Sequence, residues 1–167
     1  PADMYIGGPE HACMHLIYSR FVTMALKDFG FIDTEEPFKR LVHQGLITNG
    51  GAKMSKSKGN VVSPDAFIEK YGSDTFRMYL MFMGPFTDGG DWNDTGINGT
   101  DRFVKRLWRL FDEFKFSPNG SEEKEVTSKL HATIKKVTND MERLQFNTSI
   151  SALMELLNLL EKAEKID

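Results

Sequence analysis

The tightest constraint on the fold lies in residues 4–29. A short apolar run, Met4, Tyr5 and Ile6, ends at Gly7 and Gly8, and Pro9 and Glu10 then open a stretch of helical periodicity that reaches Phe29. A strand that turns at two glycines into a helix is the building unit of α/β folds. Proline suits the first helical turn and glutamate complements the positive end of the helix dipole, so the start is well marked. Met14, Ile17, Phe21, Met24 and Ala25 recur at three- and four-residue spacing and predict the buried stripe. In open α/β sheets ligands sit at the carboxyl ends of strands, beside such turns. His11 and His15 fall four apart, which predicts both rings on one helix face. That spacing would allow a zinc pair, but no third ligand of suitable type is near and no metalloprotease glutamate lies between them. Packing beside a core and lining a cleft are the readings left, and no metal site is expected.

The second constraint is chemical. Residues 52–60 read AKMSKSKGN, placing Lys53, Lys56, Lys58, Ser55 and Ser57 in a short loop fenced by Gly50, Gly51 and Gly59. Between Pro37 and Pro64 the chain also carries Lys39 and Arg40 but neither Asp nor Glu, so no acidic residue in that stretch opposes the loop. Lysine brings a compact charge on a flexible stem, hydroxyls and loop amides add donors, and glycines let the backbone bend close to a ligand. Together they suit phosphate groups. A solvated basic surface loop is the alternative for any lysine cluster. Upstream, residues 38–48 (FKRLVHQGLIT) are β-prone around Gly45 and predict a strand delivering the loop to a cleft.

Downstream the pattern turns helical. Ser63, Pro64 and Asp65 predict a helix start and Tyr71 with Gly72 its end; Ser73 and Asp74 begin another, stopped by Gly84 and Pro85. Residues 87–99, rich in Gly, Asp and Asn, read as a loop with Trp92 as its large anchor. A helix is expected over 101–114, with Phe103, Leu107, Leu110, Phe111 and Phe114 on one side and Arg102, Arg106 and Arg109 on the other. That basic side suits either a nucleic-acid backbone or plain solvent. The clearest internal boundary is FSPNGS at 116–121, followed by an acidic start at Glu122 and Glu123. Two stripes follow, one through Val126, Leu130, Ile134, Val137, Met141 and Leu144, the other through Ile150, Leu153, Met154, Leu157 and Leu160. They predict an antiparallel helix pair broken at Asn147.

Composition narrows the classes. A chain of 167 residues that is 40% hydrophobic can bury a real core, and a net charge of -3 means that nucleic-acid contact must come from local patches. One cysteine, Cys13, excludes an internal disulfide and fits a reducing compartment. Neither a long apolar run nor a leader-like start is visible, so a cytoplasmic location without membrane contact is expected. Beginning at Pro1, without an initiator Met, the chain reads as cut from within a longer protein.

Together with KMSKS, the segments DMYIGGPEHACMHLIYSRF, FKRLVHQGLI, RFVKRLWRLF and LQFNTSISALMELLN resemble the leucyl-tRNA synthetases, of bacterial type, within class I of the aminoacyl-tRNA synthetases. The likeness covers nearly the whole chain. GGxEHAxxHLxYxRF ahead of KMSKSKGN separates the leucine enzyme from its valine and isoleucine relatives. The resemblance implies an α/β fold: the second half of a Rossmann-type parallel-sheet catalytic domain at 1–62, an α-helical stem-contact segment at 63–116, and the start of an α-helical anticodon-binding bundle at 117–167. It implies activation of leucine by ATP with Mg2+, transfer to tRNA(Leu), no tightly bound cofactor, and a monomeric parent enzyme.

By position in the family pattern, Lys56 contacts the phosphates with Lys53 assisting, and Ser55 and Ser57 join in binding ATP. Glu10 reaches the ribose hydroxyls, Gln44, Leu46 and Ile47 lie along the adenosine, His11 lines the leucine pocket and His15 supports it. The family's HIGH motif does not occur in this string, and the first half of the sheet, the editing domain and the C-terminal tRNA-binding portion are absent too. The chain alone is therefore expected not to activate leucine, and an exposed sheet edge is expected to promote self-association. Two other classes fit parts of the pattern. A smaller nucleotidyltransferase of the same superfamily would need its own HxGH-type motif, and a non-catalytic RNA-binding or interaction module would ignore ATP.

Overall fold

The structure, a computed structural model, describes residues 1–113 and 124–162. It divides into two compact units, Pro1–Leu46 with Thr87–Gly89, and Ile47–Phe86 with Gly90–Asp167.

In the first unit β1 (Tyr5–Gly7) pairs in parallel with β2 (Leu41–His43), Tyr5 opposite Leu41 and Gly7 opposite His43, and α1 (His15–Asp28) connects them in the chain. This is the strand, helix, strand order expected from the sequence. The return from α1 is oriented by a fork from Arg20 to Glu36 and by Lys27 with Glu35. These pairs are exposed, so solvent screening leaves each a small contribution.

The helix does not run unbroken from Pro9. Residues Pro9–Cys13 form a 3-10 turn, Met14 departs from helical geometry at φ -124° and ψ -103°, and α1 starts at His15. The amides of His11 and Met14 bond three residues back, to Gly8 and His11, which is the tighter spacing. His11 and His15 thus sit on separate elements and not on one helix face. The predicted stripe also differs: Met14, Ile17, Phe21 and Met24 are exposed, Phe21 at 67%, while Leu16 is the buried residue of α1. Periodicity marks the side of a helix that is apolar but not what covers it.

The expected single strand over 38–48 is two strands. Gln44 and Gly45 separate β2 from β3 (Leu46–Asn49), and a Cβ on Gly45 would lie 2.0 Å from the Gly89 nitrogen and 2.1 Å from the Asp88 carbonyl carbon. Only glycine permits that approach. β3 turns into β4 (Ala52–Lys53) as an antiparallel hairpin with Thr48 opposite Lys53, and β5 (Gly89–Asp91) lies on its other side in the order β4-β3-β5. Parallel strands alone were expected before Val62, and 87–99 reads from sequence as loop; the hairpin and β5 correct both. β5 is continued by Trp92, whose amide donates to the Thr48 carbonyl at 2.7 Å.

The helices of the second unit are α2 (Asp65–Tyr71), α3 (Ser73–Phe82), α4 (Ile97–Glu113), α5 (Lys124–Glu142) and α6 (Phe146–Leu160). Gly72, at φ 84°, ends α2 where the sequence places its stop. One core gathers Tyr79, Trp92 and Ile97, with Ile47, Met54, Phe67 and Phe76 packed around them. Trp92 meets Phe67 and Tyr79 edge-on at 4.8 and 5.3 Å. A second core joins Phe103 and Leu110 of α4 to Leu157 of α6. α4 begins earlier than expected because Ile97 and Thr100 are fully buried, whereas Leu107 and Phe111 of the expected stripe are exposed. Phe114, the boundary at 116–121, Glu122, Glu123 and the expected limit between residues 116 and 117 lie outside the described residues.

Lys129 pairs with Glu155, and Thr148 donates to Asp140, so early residues of α5 meet late residues of α6 and the pair is antiparallel. The break falls at Leu144, in the left-handed region at φ 59°, and Asn147 lies inside α6. Leu130, Ile134 and Met141 of the α5 stripe are exposed, and Thr133 and Asp140 are buried instead. Among the described residues no helix is long and apolar enough to cross a membrane.

Candidate functional site

The residues singled out by sequence fall into two groups, one in each unit. The first gathers at the carboxyl ends of β1 and β2. There the His43 Nδ1–H donates to the Gly7 carbonyl at 3.2 Å, tying the two strand ends together. The chain then turns so tightly that a Cβ on Gly8 would lie 2.3 Å from Glu10 Oε2, so the glycine leaves room for the carboxylate to fold back while remaining exposed. His11 is half-buried, and its Nδ1 is shielded from solvent without a hydrogen-bond partner among the described residues. His15 is engaged differently: its ring stacks on Tyr5 at 5.5 Å, and its Nδ1 lies 3.3 Å from the Tyr5 hydroxyl. Gln44 and Leu46 are exposed. A hollow of about 330 Å³ in this unit, lined by Leu16, Ile17, Arg20, Glu36 and Phe38 among others, includes none of the predicted site residues.

The second group is the lysine loop. Gly50 and Gly51 both take positive φ, 62° and 72°, as a two-residue hairpin turn of the mirror-image type requires. Asp91 secures that turn, accepting from the Thr48 hydroxyl at 2.6 Å and the Gly51 amide at 2.9 Å. These donors, the Thr48 hydroxyl foremost, hold its carboxyl below the usual carboxylate range. Lys53 ends β4, and Met54 packs against the Tyr79, Trp92 and Ile97 core, so the loop is rooted by one apolar side chain inside a polar string. Lys56–Lys58 make a 3-10 turn closed by Gly59 at φ 65°. The Ser55 and Ser57 hydroxyls lie 2.8 Å apart. Asn60 bridges the base of the loop, its Oδ1 accepting from the Ser55 amide at 2.9 Å and its Nδ2 donating to the Lys53 carbonyl at 3.3 Å.

Lys53, Lys56 and Lys58 are exposed, and none takes part in an ion pair among the described residues. Three ammonium groups without carboxylate partners, beside hydroxyls and loop amides, suit a polyanion such as a phosphate chain. Ile47 turns its side chain into the core.

Sequence reasoning passed over Met54, Asn60, Asp91 and His43. Met54 carried a signal, as an apolar residue in a polar loop, and Asn60 carried a weak one, as a turn-forming amide after Gly59. Asp91 and His43 carried none, since their partners are distant in sequence. The basic side of α4 is largely committed within the chain: Arg106 forks onto Glu161 and donates to Asn158 at 2.6 Å, and Arg109 lies 3.7 Å from Glu161. Arg102 is exposed and outside these pairs.

Comparison with known proteins gives two family matches. Residues 1–92 match the tRNA synthetases class I (I, L, M and V), and residues 123–163 match the anticodon-binding domain of tRNA ligase. Similar curated proteins are the leucine-tRNA ligases of Dehalococcoides mccartyi strain CBDB1, 53% identical over 99% of this chain and 20% of that protein, and of Thermotoga maritima, 53% identical over 97% and 21%. The chain thus spans about a fifth of the length of these relatives. Among solved structures it resembles the Agrobacterium radiobacter K84 agnB2 LeuRS, in its ternary complex with tRNA and LeuAMS, with a TM-score of 0.85 and 38% identity over 96% of this chain and 23% of that one.

Proposed function

Because this chain belongs to the class I tRNA synthetases of the isoleucine, leucine, methionine and valine group, we propose that it is the lysine-loop part of a leucine-tRNA ligase, contributing to leucyl-adenylate formation and to transfer of leucine to tRNA(Leu). The carrying observation is the loop itself: three exposed lysines, without ion pairs among the described residues, on a hairpin rooted through Met54. In the activation step the leucine carboxylate attacks the α-phosphorus of ATP and the bond to the bridging oxygen breaks, so negative charge grows on the departing pyrophosphate. Lys56, with Lys53 assisting, meets that charge more strongly in the transition state than in bound ATP, which is the condition for raising the rate. Mg2+ would arrive on the nucleotide as part of the substrate.

Glu10, at the strand-end turn, accepts from the ribose hydroxyls; His11, its Nδ1 unpartnered among the described residues, lines the leucine pocket; and His15, held by Tyr5, supports that wall. Ser55, Ser57, Gln44, Leu46 and Ile47 complete the nucleotide contacts. The same reading assigns residues 1–62 to half of a Rossmann-type catalytic domain, 63–116 to the stem-contact segment and 117–167 to the start of the anticodon-binding bundle. The parallel β1 and β2 joined through α1, and the paired α5 and α6, support it.

The test is leucine-dependent exchange of labelled pyrophosphate into ATP by the full-length protein that carries this chain, with isoleucine and valine as controls. Exchange with leucine above both controls is expected, and its absence would refute the reading. The 167-residue chain by itself is expected to show none.

A further inference from the structure

The three lysines of the loop sit on a backbone whose only side-chain brace to both ends of its first turn, among the described residues, is one amide group. Asn60 accepts from the Ser55 amide at 2.9 Å and donates to the Lys53 carbonyl at 3.3 Å, so a single planar group grips the chain on both sides of Met54. Its own backbone is fastened in turn, because Asn49 Nδ2 donates to the Asn60 carbonyl at 3.0 Å from the neighbouring hairpin strand. Inside the clasp, the Lys58 amide bonds to the Ser55 carbonyl and the Gly59 amide to the Lys56 carbonyl, which shapes the turn but does not tie it to β4. The serine hydroxyls do not tie it either, since they bond to each other. We propose that Asn60 is a positioning residue for adenylate formation, its side-chain amide closing the lysine loop on itself and thereby fixing the backbone from which Lys56 reaches the leaving phosphates. The inference rests on the synthetase reading above.

The chemistry needs an amide at this position. Asparagine offers an acceptor and a donor in one plane; an aspartate offers only acceptors and an alanine offers neither. A lysine stem is long and flexible, so the anchoring of its Cα sets how often the ammonium is correctly placed, and a displacement of about 1 Å at a positioning residue can cost on the order of 10²-fold in rate. Binding of leucine need not suffer, because neither His11 nor His15, the residues assigned to its pocket, takes part in the clasp.

The experiment is single-turnover formation of leucyl-adenylate by the full-length protein, comparing Asn60→Ala, Lys56→Ala and the double variant, with KM for leucine and thermal midpoints measured in parallel. Asn60→Ala is expected to lower the rate on the order of 10²-fold, with KM for leucine and the thermal midpoint unchanged. The double variant is expected to be little slower than Lys56→Ala alone, since one residue acts through the other. A near-normal rate in Asn60→Ala, or two losses that multiply in the double variant, would overturn the clasp. Should Asn60→Ala fail to fold, the isosteric Asn60→Asp enters the same cycle with the same criteria. An unaltered protein without leucine-dependent activity would overturn the synthetase reading and this inference with it; an active protein sensitive to Lys56→Ala but indifferent to Asn60 would overturn the clasp alone.

Discussion

Replacing Trp92 by alanine should both destabilise the chain and loosen the lysine loop. Trp92 is 8% exposed, it meets Phe67 and Tyr79 edge-on, and its Nε1 donates to Asp94 at 2.7 Å. A buried tryptophan removes up to about 250 Å² from water, which at about 25 cal/mol/Å² is about 6 kcal/mol. A realistic unfolded state already hides part of that surface, and the alanine Cβ remains, so the expected loss is about 4 kcal/mol. Trp92→Phe keeps a ring in the cluster but gives up the bond to Asp94, and should lose about 1 to 2 kcal/mol. Urea unfolding followed by far-ultraviolet circular dichroism reads both: at a slope of about 2 kcal/mol/M, the alanine variant should shift the midpoint by about 2 M. Met54 packs in the same cluster, so the amides of residues 54–60 should exchange hydrogen faster in the alanine variant. A loss below about 1 kcal/mol for Trp92→Ala, or unchanged exchange in the loop despite a full loss, would refute the argument that this core roots the loop.

In the full-length protein Lys56→Ala should slow leucyl-adenylate formation by about 10²- to 10³-fold while ATP binding changes little; a normal single-turnover rate with a raised ATP dissociation constant would mean that Lys56 only anchors the nucleotide. The isolated chain should self-associate through the exposed side of α1, where Ile17 and Phe21 are 54% and 67% exposed; sedimentation velocity should show oligomers that Phe21→Glu reduces, and a monomer at all concentrations would count against it. The Asp140 carboxyl is held below its usual range, first by the Lys136 ammonium and then by the Thr148 hydroxyl. Its folded pKa lies below the unfolded value of about 3.9, so the stabilisation is complete above that value and fades as pH falls through the folded one. An acid titration should therefore show a loss of helix-pair stability below about pH 4 that Asp140→Asn lacks, the variant being already less stable at neutral pH.

The local features of this chain were legible in its sequence because their causes are local. Paired glycines at 50 and 51 can take the left-handed conformation of a hairpin turn, Gly72 ends a helix, and Lys53, Lys56 and Lys58 have no Asp or Glu between Pro37 and Pro64 to pair with locally. The strand, glycine turn and helix at 5–28 could be read for the same reason, although the 3-10 turn that separates His11 from His15 could not, since Pro9 and Glu10 favour either kind of start. Tertiary structure alone decided what depends on residues far apart in the chain. Gly45, between the two strands of one β-prone run, is needed as glycine because the backbone of Asp88 and Gly89 lies against it. Residues 89–91 become a strand beside Leu46–Asn49, Arg106 turns to Glu161 and not to solvent, and Met54 becomes a root because Trp92 supplies the core that receives it. Periodicity and charge report what a side chain prefers; which neighbour satisfies the preference is set by where the rest of the chain can pack, and that is a property of the whole fold.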